Sequence, residues 1–137
     1  MKLQFEIFGE VSRSHVYNCD TFNENKPASS GATYLSSSSS AVYKSMVEAD
    51  PDAIWLMQGW LFVDSPSFWA DDAIAAYLSG VSDDGLIVLD LTSDNTPVWN
   101  KIAANHKPFI WCMLHNYGGS RALYGNLTLL ANNPIQV

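Results

Sequence analysis

Short apolar runs alternate with longer amphipathic stretches along this chain. Three of the runs, at 53–57, 85–91 and 108–114, are almost free of polar side chains and rich in Ile, Val, Leu and Trp. They are too short for ordinary helices and predict strands, and 17–22 predicts the end of a further strand. Continuous apolar runs of this length favour strands covered on both faces, as in a parallel sheet.

The stretches between these runs carry apolar residues at helical spacing. Residues 33–49 predict one helix, although the five serines at 36–40 are poor helix formers and weaken it. Ser65-Pro66-Ser67 predicts the start of a second helix, with a capping serine and a proline in the first turn, and Gly80 suits its end. A shorter helix is predicted over 97–105. Trp55, Trp69 and Trp99 are predicted to pack in the core or against helices.

The order of predicted elements is β-α-β-α-β-α-β, which indicates an α/β fold with a parallel sheet and helical crossovers. Both an open doubly wound sheet and part of a (β/α) barrel fit this order, and periodicity does not choose between them. A nucleotide-binding open sheet is less favoured, because no glycine-rich phosphate loop follows the first strand.

Composition excludes several classes of partner. The 137 residues include 14 Asp+Glu and 7 Lys+Arg, for a formal charge of −7. This balance argues against nucleic acid and against anionic membrane surfaces, both of which need clustered basic residues. We expect neither a membrane span nor a targeting segment, since no apolar run is long enough. Two cysteines, Cys19 and Cys112, make no disulfide framework and are expected as free thiols.

Polar side chains cluster where the predicted strands end, which is the edge of an α/β sheet where chemistry is usually located. The first strand is followed by Asp-Thr-Phe-Asn-Glu at 20–24, the second by Gln-Gly-Trp at 58–60, and the last by His-Asn-Tyr-Gly-Gly at 115–119. Amides and carboxylates bind hydroxyl groups, and an indole packs on a sugar ring, so this edge suits a carbohydrate. Glu24 is the best candidate for a general acid if burial raises its pKa. Its alternative role is that of a loop or helix-start carboxylate.

Two other residues at this edge each have two alternative roles. Asp90 is either an active-site acid or, as we favour, a cap for the next segment. Trp60 is either a ligand platform or a core residue. A metal site from Glu24, Asp90 and His115 is disfavoured, and so is a Cys112–His115 nucleophile–base pair, because residues three apart on an extended segment point to opposite sides.

Four segments together resemble one known family. They are Tyr-Asn-Cys-Asp-Thr-Phe-Asn-Glu-Asn at 17–25, Trp-Leu-Met-Gln-Gly-Trp-Leu-Phe at 55–62, Val-Leu-Asp-Leu at 88–91 and Pro-Phe-Ile-Trp-Cys-Met-Leu-His-Asn-Tyr-Gly-Gly at 108–119. The chain is similar, from about Phe8 to about Gly125, to the α-N-acetylglucosaminidases, the family 89 glycoside hydrolases. The resemblance implies that residues 1–137 are a fragment of a catalytic (β/α) TIM-like barrel, with about half of its strands. The N-terminal and C-terminal domains of the family are absent.

The resemblance also implies an activity, namely retaining hydrolysis of terminal α-linked N-acetylglucosamine from glycans such as heparan sulfate. It implies a carbohydrate partner, no cofactor and no metal, and a possible oligomer in the full-length protein. Glu24 occupies the position of the family's acid/base. Residues implied in substrate binding are Asn23, Trp60, Trp111, Cys112, His115 and Asn116.

One departure from the family limits what this chain can do alone. The family's nucleophile glutamate lies in a Met-Ala-Pro-Glu-Gly type motif, which does not occur in these 137 residues. We therefore expect the isolated chain to be inactive, and the longer protein to act in lysosomes, in vacuoles or outside cells. A non-catalytic sugar-binding remnant and an unstable truncated product are the alternatives.

Overall fold

The computed structural model describes residues 2–9, 14–114 and 125–135. Within these ranges lie four strands, six helices and a final 3-10 turn at Asn133–Ile135. In chain order they are α1 Lys2–Phe8, β1 Val16–Asn18, α2 Ala32–Val47, β2 Ile54–Gln58, α3 Trp60–Asp64, α4 Asp71–Leu78, β3 Leu86–Asp90, α5 Trp99–Ala104, β4 Phe109–Trp111 and α6 Leu127–Asn132.

The four strands form one parallel sheet in the order β1-β2-β3-β4. Tyr17 pairs with Trp55, Met57 with Val88, and Asp90 with Trp111. The predicted order of strands and helical crossovers is confirmed. Each strand lies beside its predecessor, without the reversal of order that marks a doubly wound sheet, so this arrangement is that of consecutive barrel strands.

The two faces of the sheet differ in burial. We call the helical face the side that is fully buried under the helices, and it carries Trp55, Met57, Leu86, Val88 and Asp90. The alternate residues form the inner face, and those of β2 and β3 are only half-buried: Ile54, Leu56, Gln58, Ile87 and Leu89. Within the described residues, the helices pack on one side of the sheet, so the expectation of strands covered on both faces is not met there.

A cluster of aromatic rings fills the space between the helical face and α4. Tyr77 of α4 makes edge-to-face contacts with Trp55, at a centroid distance of 6.4 Å, and with Trp69, at 5.3 Å. Trp69 in turn contacts Phe62 of α3 at 5.3 Å. The predicted core positions of Trp55 and Trp69 are confirmed. Trp99 is half-buried and stacks on Phe109 of β4.

The serine run of α2 lies partly against α4. Ser39 is buried, and its hydroxyl donates to the Tyr77 carbonyl oxygen at 2.6 Å. Gly80 follows α4, and a Cβ atom there would collide with the Ser36 carbonyl oxygen and the Ser39 hydroxyl. Small side chains thus let the two helices approach closely, which explains why poor helix formers occupy this part of α2.

The second predicted helix does not begin at Ser65. Two helices occupy this region, α3 directly after β2 and α4 from Asp71, and residues 66–68 form a turn between them. The amides of Phe68 and Trp69 both donate to the Ser65 carbonyl oxygen, at 3.0 and 3.1 Å. This turn directs the Trp69 ring into the core, and burial of that ring overrides the helix-start signal of Ser-Pro-Ser.

Two further expectations concern the described part of the chain. None of its helices combines the length and the apolar character that crossing a bilayer would require. Cys19 and Cys112 are both free and half-buried, which confirms the prediction of unpaired thiols.

Candidate active site

Asn23 and Glu24 lie on a turn that follows β1 at the carboxyl edge of the sheet, and both are exposed. The burial expected of Glu24 as a general acid is therefore not provided by the described residues. Phe22, the residue before Asn23, has a φ of 62°, in the left-handed region that non-glycine residues rarely adopt. The amide of Asn25 donates to the Phe22 carbonyl oxygen at 2.5 Å and closes the turn. The carboxylate of Glu24 is therefore presented on a tight, strained turn, a setting that is enriched at functional sites.

The core holds the chain on the N-terminal side of this turn. The indole nitrogen of Trp55 donates to the Cys19 carbonyl oxygen at 2.7 Å. The hydroxyl groups of Thr21 and Tyr77 share a hydrogen bond, and the Phe22 ring packs edge-to-face on Tyr77 at 6.1 Å. Contacts at Cys19, Thr21 and Phe22 thus fix the path of the backbone that leads to Asn23 and Glu24.

The segment after β2 brings Trp60 to the same edge. The Gly59 amide donates to the Leu89 carbonyl oxygen at 2.8 Å, and a Cβ at Gly59 would lie 3.0 Å from that oxygen. Glycine at this position permits the close approach of β2 and β3. Trp60 then begins α3 and is half-buried, so both a ligand platform and a packing role remain compatible with its exposure.

Trp111 and Cys112, at the end of β4, point to opposite faces. Trp111 pairs with Asp90 and shares the side of Phe109, which stacks on Trp99 of α5. Trp111 therefore belongs to the helical face, and this placement argues against its direct contact with a ligand on the inner face. Cys112 continues the ladder through its amide, which donates to the Asp90 carbonyl oxygen at 3.0 Å, and it lies on the inner face.

Asp90 caps the segment that leads into α5. Its side chain is fully buried on the helical face, and Oδ2 accepts the amides of Val98 and Trp99 at 2.9 and 2.8 Å. Burial raises the pKa of this carboxyl above its usual value, while the amide hydrogen bonds oppose that shift. The capping role is confirmed, and Asp90 cannot join Glu24 as an active-site acid or metal ligand on the inner face.

His115 and Asn116 lie outside the described residues, so the structure does not test the Cys112–His115 pair. Within the described ranges, His15, Asp50 and Asp52 bring possible metal-ligand atoms within 4.8 Å of one another. The buried Asp50 carboxylate already accepts hydrogen bonds from Tyr17 and the Asp52 amide and is paired with His15. This group precedes β1 and β2, at the edge of the sheet opposite the turn that carries Glu24.

Sequence reasoning missed the two residues that anchor the Glu24 turn. The sequence predicts Trp55 only as a core or helix-packing residue and gives Tyr77 no role beyond its place in a helix. The one signal in the sequence is that the buried positions carry an indole and a phenol, whose polar atoms need partners when buried. Nothing in the sequence indicates that the partners are Cys19 and Thr21.

The whole chain, residues 1–137, matches the family model described as the α-N-acetylglucosaminidase TIM-barrel domain. The chain belongs to this family. Over 130 residues, or 94% of its length, the chain is 44% identical to the human α-N-acetylglucosaminidase. The predicted family, the α/β class and the partial barrel are thereby confirmed.

Solved structures lead to the same family. This chain is 32% identical, with a TM-score of 0.65 over 85% of its length, to a family 89 glycoside hydrolase from Clostridium perfringens in complex with PUGNAc. A variant from the same organism, with two glutamates replaced by glutamine, matches equally well and is in complex with its substrate GlcNAc-α-1,4-galactose. The chain spans only 18% of the human relative and 12% of the bacterial chains.

Proposed function

We propose that this chain contributes to a glycoside hydrolase that removes terminal α-linked N-acetylglucosamine from glycans, with heparan sulfate as one substrate. The observation that carries the proposal is the position of Glu24. It lies on a strained turn at the carboxyl edge of a partial barrel, inside the motif that the family uses for its acid/base. The complex of a bacterial relative with GlcNAc-α-1,4-galactose supports the class of sugar.

Glu24 acts as general acid and then as general base in this mechanism. Its carboxyl group donates a proton to the glycosidic oxygen as the bond to the anomeric carbon breaks. A second carboxylate attacks that carbon, and Glu24 then takes a proton from the water that releases the sugar. Retaining enzymes hold the two groups about 5–5.5 Å apart. The replacement of two glutamates in the substrate complex of the bacterial relative supports a pair of this kind.

Neighbouring residues bind the sugar. Asn23, next to Glu24, donates to or accepts from the N-acetyl substituent through its amide. Trp60 offers its indole to the apolar face of the ring, and Cys112 lines the wall from the inner face. His115 and Asn116, which follow β4 in the sequence, are also proposed to bind the sugar. Trp111, on the helical face, supports this wall from behind.

The segment that supplies the second carboxylate is not among these 137 residues. We therefore propose that the longer protein is the active species and that residues 1–137 alone are inactive. A chain that only binds sugar is the second candidate, and the half-buried Trp60 at the edge favours it. Titration of the isolated chain with N-acetylglucosamine, followed by tryptophan fluorescence, separates the two. A saturable change that Trp60→Ala abolishes would support binding without turnover.

The decisive experiment replaces Glu24 in the longer protein. Glu24→Gln keeps the size of the side chain and removes the transferable proton, so kcat on an alkyl α-N-acetylglucosaminide should fall by about 100-fold or more. Glu48→Gln is the matched control, since Glu48 is an exposed glutamate at the end of α2 that forms an ion pair with Lys2. Equal activity of the two variants would contradict the proposed role of Glu24.

The compartment follows from the proposed substrate. A glycan such as heparan sulfate is degraded in lysosomes or outside cells, so we propose a lysosomal, vacuolar or extracellular location for the longer protein. Fractionation of cells that produce the tagged longer protein tests the location. Recovery in the cytosol alone would contradict it.

A further inference from the structure

We propose that Tyr77 and Trp55 are positioning residues for Glu24. They hold the turn at 19–25 from within the core, through the Thr21 hydroxyl and the Cys19 carbonyl oxygen. This inference rests on the proposed function, in which Glu24 donates the proton. Neither residue touches the substrate, since Trp55 and Tyr77 are 0% and 1% exposed.

The turn needs support from outside itself. Phe22 adopts a left-handed conformation that is unfavourable for a bulky side chain, and such conformations persist only where the surroundings fix them. Glu24 and Asn23 are exposed and contribute no burial to the turn. The support must therefore come from residues 19–22. The Cys19 amide donates to the Leu56 carbonyl oxygen at 3.4 Å, and the side-chain contacts of this segment described above are made with Trp55 and Tyr77.

The two anchors lie on rigid elements. Trp55 is in the middle of the sheet and hydrogen-bonds the Cys19 carbonyl oxygen directly below the turn. Tyr77 belongs to α4, packs on Trp55 and shares a hydrogen bond with the Thr21 hydroxyl. Burial raises the pKa of Tyr77 to about 12, so its hydroxyl stays protonated at any pH at which the protein works.

The same cluster links the turn to the second strand end. Tyr77 packs on Trp69, and Trp69 packs on Phe62 of α3, the helix that Trp60 begins. A shift of Tyr77 would thus change the position of Glu24 relative to Trp60. Small displacements of a catalytic group reduce the rate strongly, because proton transfer requires hydrogen-bond distance to the leaving oxygen.

The test compares Tyr77→Phe with Tyr43→Phe in the longer protein. Each substitution removes one hydroxyl with one hydrogen bond, but the Tyr43 hydroxyl donates to the Ala53 carbonyl oxygen at 3.2 Å, at the opposite edge of the sheet. Two substrates are used, an alkyl glycoside, whose leaving group must be protonated, and a dinitrophenyl glycoside, whose leaving group departs unprotonated.

If Tyr77 positions Glu24, its substitution should lower kcat mainly on the substrate whose leaving group must be protonated. Tyr77→Phe should lower kcat on the alkyl glycoside by about 5–20-fold and on the dinitrophenyl glycoside by about twofold or less, with KM within about twofold for both. Thr21→Val should have the same effect, and the double variant should be no worse than either single one. Tyr43→Phe should leave both substrates unaffected.

Several results would overturn the inference. Equal loss on both substrates, or identical behaviour of Tyr77→Phe and Tyr43→Phe, would show a merely structural hydroxyl. Additive losses in the double variant would show that Thr21 and Tyr77 act separately. Glu24→Gln, measured beside these variants, separates this failure from that of the proposed function. If Glu24→Gln keeps its activity on the alkyl glycoside, the proposed role of Glu24 fails, and the positioning role fails with it.

Discussion

At the scale of the residue, Asp90 shows how the neighbourhood of a side chain selects its role. Its Oδ2 accepts two amides at the start of α5, while Oδ1 is buried without a hydrogen-bond partner among the described residues. A carboxylate in this setting satisfies two otherwise unpaired N–H groups, but it is ionised at a cost, since burial raises its pKa.

Substitution of Asp90 separates the cap from the charge. Asp90→Ala leaves two amides without an acceptor and should lower the free energy of unfolding by about 2 kcal/mol. Asp90→Asn keeps an acceptor oxygen and should not show this loss. Chemical denaturation monitored by circular dichroism measures both. Similar losses for Ala and Asn would show that the charge, not the cap, stabilises this segment.

The raised pKa of Asp90 also predicts how the stability of the protein changes with pH. Because the folded-state pKa of Asp90 is raised above 3.8, the folded state binds this proton more tightly than the unfolded state does. The contribution of Asp90 to stability is therefore fully present below pH 3.8 and is lost as the pH rises through the folded pKa. We expect the stability of Asp90→Asn relative to the original chain to increase over the pH range above 3.8. A constant difference across this range would contradict the raised pKa.

At the scale of the element, small residues decide how α2 packs on α4. Ser36 and Ser39 face the end of α4 at Gly80, where no room is left for a Cβ atom. Serine is a poor helix former, so these residues lower the helix propensity of α2. In return, they allow the two helices to approach closely, and Ser39 donates a hydrogen bond to the Tyr77 carbonyl oxygen. This contact also fixes the end of α4 that carries Tyr77.

Gly80→Ala tests the contact between these helices. The added methyl group would force α2 and α4 apart, and we expect a loss of about 1–3 kcal/mol in the free energy of unfolding. Ser37→Ala is the control, because Ser37 is exposed on α2 and the substitution only improves helix propensity. Thermal unfolding of both variants gives the comparison. If Gly80→Ala is as stable as Ser37→Ala, the helices do not approach as closely as described.

At the scale of the whole molecule, the inner face and the outer strands of the sheet lack a cover within the described residues. β1 and β4 are the edge strands, and Val16 and Ile110 on them are 41% and 47% exposed. An exposed apolar edge strand invites pairing with another chain. In the longer relatives of the family this face belongs to a barrel, and the isolated chain presents it to solvent.

We expect the isolated chain to self-associate through this face. Ile110→Lys, which places a charge on the inner face of β4, should shift the species toward monomer in sedimentation velocity over a concentration series. Ile135→Lys is the matched control, since Ile135 is 83% exposed but lies in the final 3-10 turn. Equal sedimentation of the two variants would show that the sheet edge does not drive association.

The sequence by itself determined the order of the four strands and of the helical crossovers between them, but it did not predict α1, α3 or α6 as separate helices. Buried strands such as 54–58 and 86–90 are continuous apolar runs, and a run of this kind has few alternatives to a strand in a parallel sheet. It also determined the family, since long motifs rich in tryptophan and in polar strand-end residues carried the resemblance. The position of Glu24 after the first strand made it a candidate acid, and the resemblance of its motif supplied the acid/base role.

Only the tertiary structure decided which side chains share a face and which atoms hold the candidate site. The inner placement of Cys112, the helical placement of Trp111 and the capping by Asp90 depend on strand register, which is set by packing over the whole sheet. The helix expected from Ser65 begins at Asp71, because the buried Trp69 ring outweighs a local start signal. The hydrogen bond between Thr21 and Tyr77 joins residues far apart in the chain. Such a contact leaves no trace in local periodicity, since it forms only when β1, β2 and α4 have packed together.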